Sequence, residues 1–310
     1  MTGSPRIVIL CGGNSPESDV SRVSAAAVSD VLCQYYDAVK LDLGDDSLPA
    51  GLDPARDVIF PVMHGGWGEG GGLQREMESA GLVYCGCNSA ASDLCMNKCA
   101  AKRCVEQTAF DLARDAVLSD LEDAPAWVGD AHWILKPNAS GSSDRLFHGG
   151  GTEDLARLWA DLQPGTTWLL EERITGREMS IGLLNGEPLG IVEIRPRGGL
   201  YDLAHKYTAG STEYLCPAPL TPELTARAQQ AAREAWKALG CTDFARIDFF
   251  VTEDNRLVFL EANTIPGLTP LSLYPKSASA HGMDFPATVR AMVAPALRRW
   301  AEKRKEVNCA

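Results

Sequence analysis

At 310 residues, with 45% hydrophobic and 23% charged residues, the chain has the make-up of a soluble globular protein with room for two or three lobes. Its formal net charge of −12 argues against general nucleic-acid binding, which needs a basic face, and means that an anionic ligand must be held by local cations. No apolar run reaches the length of about eighteen residues that a membrane span requires, and the opening MTGSPRIVIL lacks the pattern of a secretion signal.

Residues 6–10 (RIVIL) read as a buried strand, and Cys11-Gly12-Gly13-Asn14 as the turn after it. Ser15 suits a helix N-cap and Pro16 the first helical position. Strand, glycine turn and helix open a doubly wound α/β unit, with a ligand-facing loop at the strand's carboxyl end. The spacing is not G-x-G-x-x-G, so no dinucleotide is indicated. Glu17 falls in the first helical turn, where an acid also suits the dipole. Residues 57–63 (DVIFPVM) form a second buried strand, followed by HGGWGEGGGLQ. Its glycines leave the backbone free to approach a ligand. His64 either organises this loop from the core or touches the ligand.

Residues 88–108 look helical, and 109–131 form a short acidic connection. Trp133 to Leu135 is a strand with Lys136 at its end. Asn138 to Ser143 is a loop of small residues, the kind that offers backbone N–H groups to phosphate. Trp168 to Ile174 is another strand, and TGREMSIGLLNG begins the next. Thr221 to Leu239 is a helix capped by Thr221, with Pro222 in its first turn and Gly240 as its stop. Leu224, Ala228, Ala231, Ala235 and Leu239 recur at helical spacing, which marks packing. The last helix, Phe285 to Lys303, is amphipathic, and its basic end suits solvent and the dipole.

The densest signals lie in FARIDFFVTEDNRLVFLEANTIPGLTPLSL, residues 244–273. Ala245 to Thr252 and Leu257 to Glu261 are apolar runs joined by the polar turn Glu253-Asp254-Asn255, which suggests an antiparallel hairpin. Side chains two apart on a strand share a face, so Arg246 and Asp248 point together, as do Glu261 and Asn263. Pairing the strands gathers Asp248, Glu261 and Asn263 as hard oxygen ligands of the kind Mg²⁺ takes together with substrate phosphates.

RID, LEAN and PGLTPLSL resemble the carboxy-terminal signature of the ATP-grasp superfamily, and within it the D-alanine–D-alanine ligases. GGNSPESDVS (12–21) is similar to that family's GG-x-S-x-E-x-x-V-S segment, and HGGWGEGGGLQ (64–74) to its HG-x-x-GEDG-x-LQ loop, with Gly70 where the family usually has Asp. Met96-Asn97-Lys98 matches an M-D-K segment, and KPNASGSS (136–143) matches KP-x-x-x-GSS, although Asp144-Arg145-Leu146 then interrupt the small residues usual there. YDLAHKYTAGSTEYLCPA (201–218) is similar to the family's mobile loop.

The resemblance implies a three-lobed α/β fold with α+β lobes: a Rossmann-like doubly wound lobe at 1–95, a central ATP-grasp lobe at 96–178, and a carboxy-terminal lobe at 179–310. It implies ATP held by Lys98, Lys136, Ser143 and Lys206. The base lies against Glu171, Glu172 and Ile174, and the ribose hydroxyls on Glu178. Mg²⁺, with Mn²⁺ able to substitute, would sit on Asp248, Glu261 and Asn263. Glu17 faces the donor's amino group, and Tyr207 links to Ser142 and Glu17 to fix the loop closed. Arg246 and the Gly267 backbone meet the oxyanion. His64, Ser272 and the Leu273 backbone serve the substrates. The implied reaction joins two D-alanines through an acyl phosphate. Tyr207 goes with amide-forming members and argues for an amine acceptor.

The expected partners are ATP and D-amino acids, with neither nucleic acid nor membrane, and a homodimer is left open. The expected location is the cytoplasm, with peptidoglycan synthesis as the role. The altered phosphate loop, His205 and the short central lobe keep open a related ligase for another D-amino acid. A nucleotide-binding regulator would require a lost ligand, and none is missing. Ten cysteines include Cys85, Cys87, Cys95, Cys99 and Cys104 close together. Their spacing is not that of paired zinc knuckles and no His lies among them, so free reduced thiols are expected.

Overall fold

The computed structural model describes residues 4–141, 145–162, 165–197 and 210–309. Ser142, Ser143, Lys206 and Tyr207 lie outside them. Three sheets follow one another along the chain. The first is parallel: β1 (Arg6–Gly12), β2 (Asp37–Leu43), β3 (Asp57–Pro61) and β4 (Val83–Tyr84), in the order β2-β1-β3-β4. A parallel sheet needs cover on both faces, and β3 is buried at every residue. On one face Ile7, Ile9, Val58 and Phe60 pack with residues of α1 (Ser18–Leu32). On the other, Val8, Leu10 and Ile59 meet Leu73 and Met77 of α3 (Gly72–Ser79), which follows the short α2 (Gly66–Glu69).

The second sheet is antiparallel, β5-β8-β6-β7, made of β5 (Asp115–Leu118), β6 (His132–Pro137), β7 (Phe147–Gly150) and β8 (Trp168–Glu172). Trp133, Leu135, Trp168 and Leu170 form its core with Leu155 of α6 (Gly151–Trp159). The third is also antiparallel, β11-β10-β9-β12-β13, made of β9 (Arg177–Leu184), β10 (Glu187–Pro196), β11 (Thr212–Leu215), β12 (Phe244–Val251) and β13 (Leu257–Asn263). The stripe Leu224, Ala228, Ala231, Ala235 of α7 (Pro222–Ala238) is buried against it, and Thr221 caps that helix by accepting from Leu224 N–H at 3.2 Å. α8 (Leu273–Ala280) and α9 (Phe285–Cys309) complete the fold. No helix of the described residues is long and apolar enough to cross a membrane.

Three local expectations differ. The helix expected at 88–108 is two: α4 (Ser89–Met96) and α5 (Lys98–Val105). Asn97 breaks it with an extended backbone (φ −83°, ψ 95°), and its side chain accepts from Ala100 N–H at 3.1 Å to cap the second helix. Ser15 is not the N-cap of α1. It accepts from Glu17 N–H at 2.9 Å within a turn, and Glu17 occupies the capping position. The acidic connection at 109–131 contains β5, whose Asp115 and Val117 are not buried, so no clean alternation announced it.

The chain also closes on itself. Val289, Met292, Val293 and Trp300 of α9 join the core of the first sheet, together with Phe244 and Tyr274. Phe60 stacks on Phe244 with ring centroids 6.1 Å apart. Beside them Asp243, almost fully buried, accepts from both Arg299 guanidinium nitrogens at 2.7 Å and from Gly86 N–H at 2.9 Å. The end of the first sheet and the start of β12 are thereby tied through α9.

Candidate active site

One cleft receives side chains from the second and third sheets, from the loops and helices that follow β1 and β3 of the first, and from the α4–α5 junction. β12 and β13 supply its floor. Their register sets Asp248 opposite Glu261 and Arg246 opposite Asn263, with a β-bulge immediately after Asp248. Arg246 grips Asp248 through Nε (3.0 and 3.1 Å) and Nη2 (2.8 Å), and Ser180 of β9 donates to Asp248 at 2.6 Å. The same-face rule on β12 thus holds. Ser180 was missed in the sequence, because only sheet pairing sets it opposite Asp248.

The cations arrive from the amino-terminal side. The break at Asn97 makes Lys98 the first residue of α5, and its backbone N–H donates to Asn138 C=O at 3.0 Å. Its ammonium reaches Ser140 C=O and lies 3.8 Å from Glu261. Lys136, at the end of β6, ion-pairs Glu171 of β8 at 2.5 Å. Burial opposes the charge on Lys136, but Glu171 and Glu261 outweigh it and hold its pKa above the usual value. Burial likewise opposes ionisation of Glu171, yet Lys136 and Lys102 bring its pKa down from 4.5 to about 2. Lys102 was not picked out in the sequence. It follows Lys98 by four residues, hence one helical turn along the same face, and it is fully buried.

Glu172, Ile174 and Glu178 line the same cleft near Glu171. Glu172 is held at its rim by a bidentate pair with Arg114 (2.8 and 2.9 Å). Two loops from the first sheet close the far side. The left-handed Gly65 (φ +91°) lets them touch, since a Cβ there would stand 2.6 Å from Ser15 Cβ. This brings Glu17, His64 and Glu69 together, with ligand atoms within 4.8 Å of one another, the one such convergence of His, Cys, Asp and Glu among the described residues. His64 Nδ1 meets Glu69 Oε1 at 3.2 Å, and Gly65 N–H donates to Glu69 Oε2 at 3.1 Å. Burial would lower the His64 pKa, but Glu69 and Glu17 raise it above 6.5. Its Nε2 is buried without a hydrogen-bond partner among the described residues. His64 thus helps to organise the loop through Glu69 and also lines the cleft. A Cβ at Gly70 would lie 2.4 Å from Gly66 C=O, so this backbone has no room for the Asp usual in similar loops.

The Pro-Gly loop after β13 completes the site. A Cβ at Gly267 would lie 2.8 Å from Ser272 Oγ, so the glycine lets the two segments meet. Ser272 is the N-cap of α8 but makes no side-chain cap bond; its hydroxyl instead takes Thr269 N–H at 3.1 Å. The N–H groups of Leu273 and Tyr274, with Pro275 next and lacking a donor, thus begin a helix whose end suits a carboxylate. Gly267, Ser272 and Leu273 all line the cleft.

The residues expected to hold Mg²⁺ fit that ion. Asp248, Glu261 and Asn263 are oxygen donors on adjacent register positions, and Asn263 Oδ1 is buried with no partner among the described residues. Of the five cysteines close together in sequence, Cys87 and Cys95 each meet Cys241 of a distant segment. Cys85, Cys87 and Cys95 are buried, Cys99 is half-buried and Cys104 is exposed, all as free thiols, and Cys95 lies 4.0 Å from Cys241.

Residues 128–294 match the family model described as the D-ala D-ala ligase C-terminus. A D-alanine–D-alanine ligase of Acidiphilium cryptum is 36% identical over 296 residues, covering 93% of this chain and 97% of the relative. One of Methylacidiphilum infernorum is 32% identical over 299 residues, covering 95% and 96%. Among solved structures, the D-alanine–D-alanine ligase of Bacillus anthracis complexed with ATP matches with a TM-score of 0.83 at 26% identity, covering 97% of this chain and all of that one. The VanG D-Ala:D-Ser ligase of Enterococcus faecalis matches with a TM-score of 0.82 at 26% identity, covering 95% and 100%. With likeness of this extent at both sequence and fold level, the chain belongs to the D-alanine–D-alanine ligase family, and its three-sheet architecture is the ATP-grasp fold.

Proposed function

We propose that this protein is an ATP-dependent ligase that joins two D-alanine molecules to give D-alanyl-D-alanine, ADP and phosphate. The observation that carries the reading is the single cleft in which buried lysines from α5 and β6 face the acidic hairpin β12–β13, with the Glu17–His64–Glu69 group opposite. The two lysines suit a polyphosphate, and the base is assigned to residues 171–174, the last two of β8 and the two that follow it. Glu178 is assigned to the ribose. Ser143 and Lys206 join the phosphate set by resemblance alone. The three lobes 1–95, 96–178 and 179–310 are assigned as the working units.

Glu17, Glu69 and His64 make an anionic corner suited to the donor's ammonium. The donor carboxylate attacks the γ-phosphoryl group, forming an acyl phosphate and releasing ADP. Lys98 and Lys136 offset the charge that develops. Asp248, Glu261 and Asn263 would hold Mg²⁺, which when bound neutralises phosphate charge. The acceptor's carboxylate rests on Ser272 and the start of α8. Its neutral amine attacks the acyl phosphate carbonyl, with Arg246 and the Gly267 N–H at the oxyanion, and phosphate leaves. Arg246 pairs with Asp248 in this structure, beside the residues that would hold the metal, and its guanidinium would supply the positive donor to the oxyanion. Tyr207 and Ser142 would close the site against water, which the acyl phosphate requires. The cytoplasm, as the source of ATP, is the compartment this reading assigns, and a cell-wall precursor is the product's role.

The test is ADP release across a panel of D- and L-amino acids, D-serine and D-lactate, with products identified by mass. D-alanine-dependent ADP and a dipeptide are expected. ADP formation indifferent to amino acid would refute the reading. Preference for D-serine as acceptor would move it to the activity named for the Enterococcus faecalis relative.

A further inference from the structure

We propose that Lys102 is a positioning residue for nucleobase recognition: it fixes the Glu171 carboxylate as an acceptor for the exocyclic amino group of a 6-aminopurine. The inference rests on the nucleotide reading above and deepens it.

The two oxygens of Glu171 are taken by two different cations. Oε1 accepts from Lys102 Nζ at 2.7 Å and Oε2 meets Lys136 Nζ at 2.5 Å. An ionised carboxylate has about four acceptor positions, so one lysine on each oxygen fixes its plane and leaves capacity towards the cleft it lines. Lys136 also lines the cleft, whereas Lys102 has no exposed surface and is not among the lining residues. Its remaining contacts hold it from behind: Ala113 C=O at 3.1 Å and Asp115 at 3.4 Å, the latter itself paired with Arg103 at 2.9 Å. A fully buried lysine is a costly filler where a methionine would serve. Its position behind a cleft-lining carboxylate gives that cost a use.

A 6-aminopurine offers N–H donors to an ionised Glu171, whereas a 6-oxopurine turns a carbonyl oxygen towards it. Discrimination therefore depends on the carboxylate being charged and held in place. Lys102 shares both tasks with Lys136, and it alone does so from outside the cleft lining. It also stands one turn beyond Lys98 on α5, so base site and phosphate site share one rigid helix.

The experiment compares Lys102→Met with the unaltered protein for ATP and ITP, reading both kcat/KM in the D-alanine-dependent reaction and Kd for the two nucleotides by calorimetry. The expected result is a fall of about tenfold or more in the ATP:ITP ratio, of the size that loss of one charge-assisted hydrogen bond gives. Lys102→Arg should restore at least part of the ratio. A merely structural Lys102 would lower both nucleotides together, and an unchanged ratio overturns the proposal. Where Lys102→Met does not fold, Lys102→Gln, which keeps a donor but loses the charge, is read against the same two outcomes. If the unaltered protein binds ATP over ITP but forms no D-alanine-dependent ADP, the ligase reading fails while the Kd ratio still decides Lys102.

Discussion

Glu171→Gln is the perturbation whose size follows most directly from the geometry. Glu171 is 5% exposed, so solvent screens it little. Burial would raise its pKa, but Lys136 and Lys102 lower it from 4.5 to about 2. At about 1.4 kcal/mol for each tenfold change in proton affinity, that difference corresponds to about 3 kcal/mol of folded-state stability. The group is a carboxylate with a depressed folded pKa. Its contribution is therefore complete above pH 4.5 and is lost as pH falls towards 2. Gln keeps the shape but leaves two buried ammonium groups without their shared counter-charge, so at pH 7 a loss of about 3 kcal/mol is expected, within the range for breaking buried pairs. The assay is urea unfolding followed by near-ultraviolet circular dichroism, run on both proteins at pH 7, 5 and 3.5. The gap should be constant between pH 7 and 5 and narrow at pH 3.5. A gap below about 1 kcal/mol at pH 7, or one that does not change with acid, would refute the charge-based account.

Arg246→Ala should lower turnover by about a hundredfold to a thousandfold, the usual cost of one oxyanion donor, while calorimetric ATP affinity stays within a few-fold; near-normal turnover would dismiss its assigned role. Asp248→Asn should shift the Mg²⁺ titration of ADP release to markedly higher concentration, and an unchanged titration would remove Asp248 from the metal set. Arg299→Met leaves buried Asp243 with Gly86 N–H but no cation; because the Arg299 side chain is 43% exposed, a loss of about 2 kcal/mol in urea unfolding is expected, below the fully buried range. A stability unaffected by that change would mean that the tie between β4 and β12 rests on packing alone.

Much of the site was legible because its residues sit where local rules are strong. On β12 a period of two set Arg246 beside Asp248, and antiparallel pairing set Glu261 and Asn263 across from them. The stripe along α7 and its Thr221 cap likewise follow from spacing and side-chain chemistry alone. The helix break at Asn97 was written in the sequence as a good capping residue, but it lay inside a run of helix formers, and only its contact with the segment at Asn138 makes the break worth forming. β5 escaped notice because a short edge strand with exposed residues has no periodic signature.

The sequence by itself determined the strand–glycine–helix opening, the acidic hairpin and the motifs that carry the family resemblance, since each depends on residues near one another along the chain. Tertiary structure alone decided that α9 returns to cover the first sheet, that Ser180 stands opposite Asp248, and that Lys102 stands behind Glu171, 69 residues away. It also set Cys241 beside both Cys87 and Cys95. The physical reason is the same in each case. Hydrophobic burial is non-directional and fixes which faces must be covered, whereas the partner of a buried charge is settled only when packing brings distant segments into register.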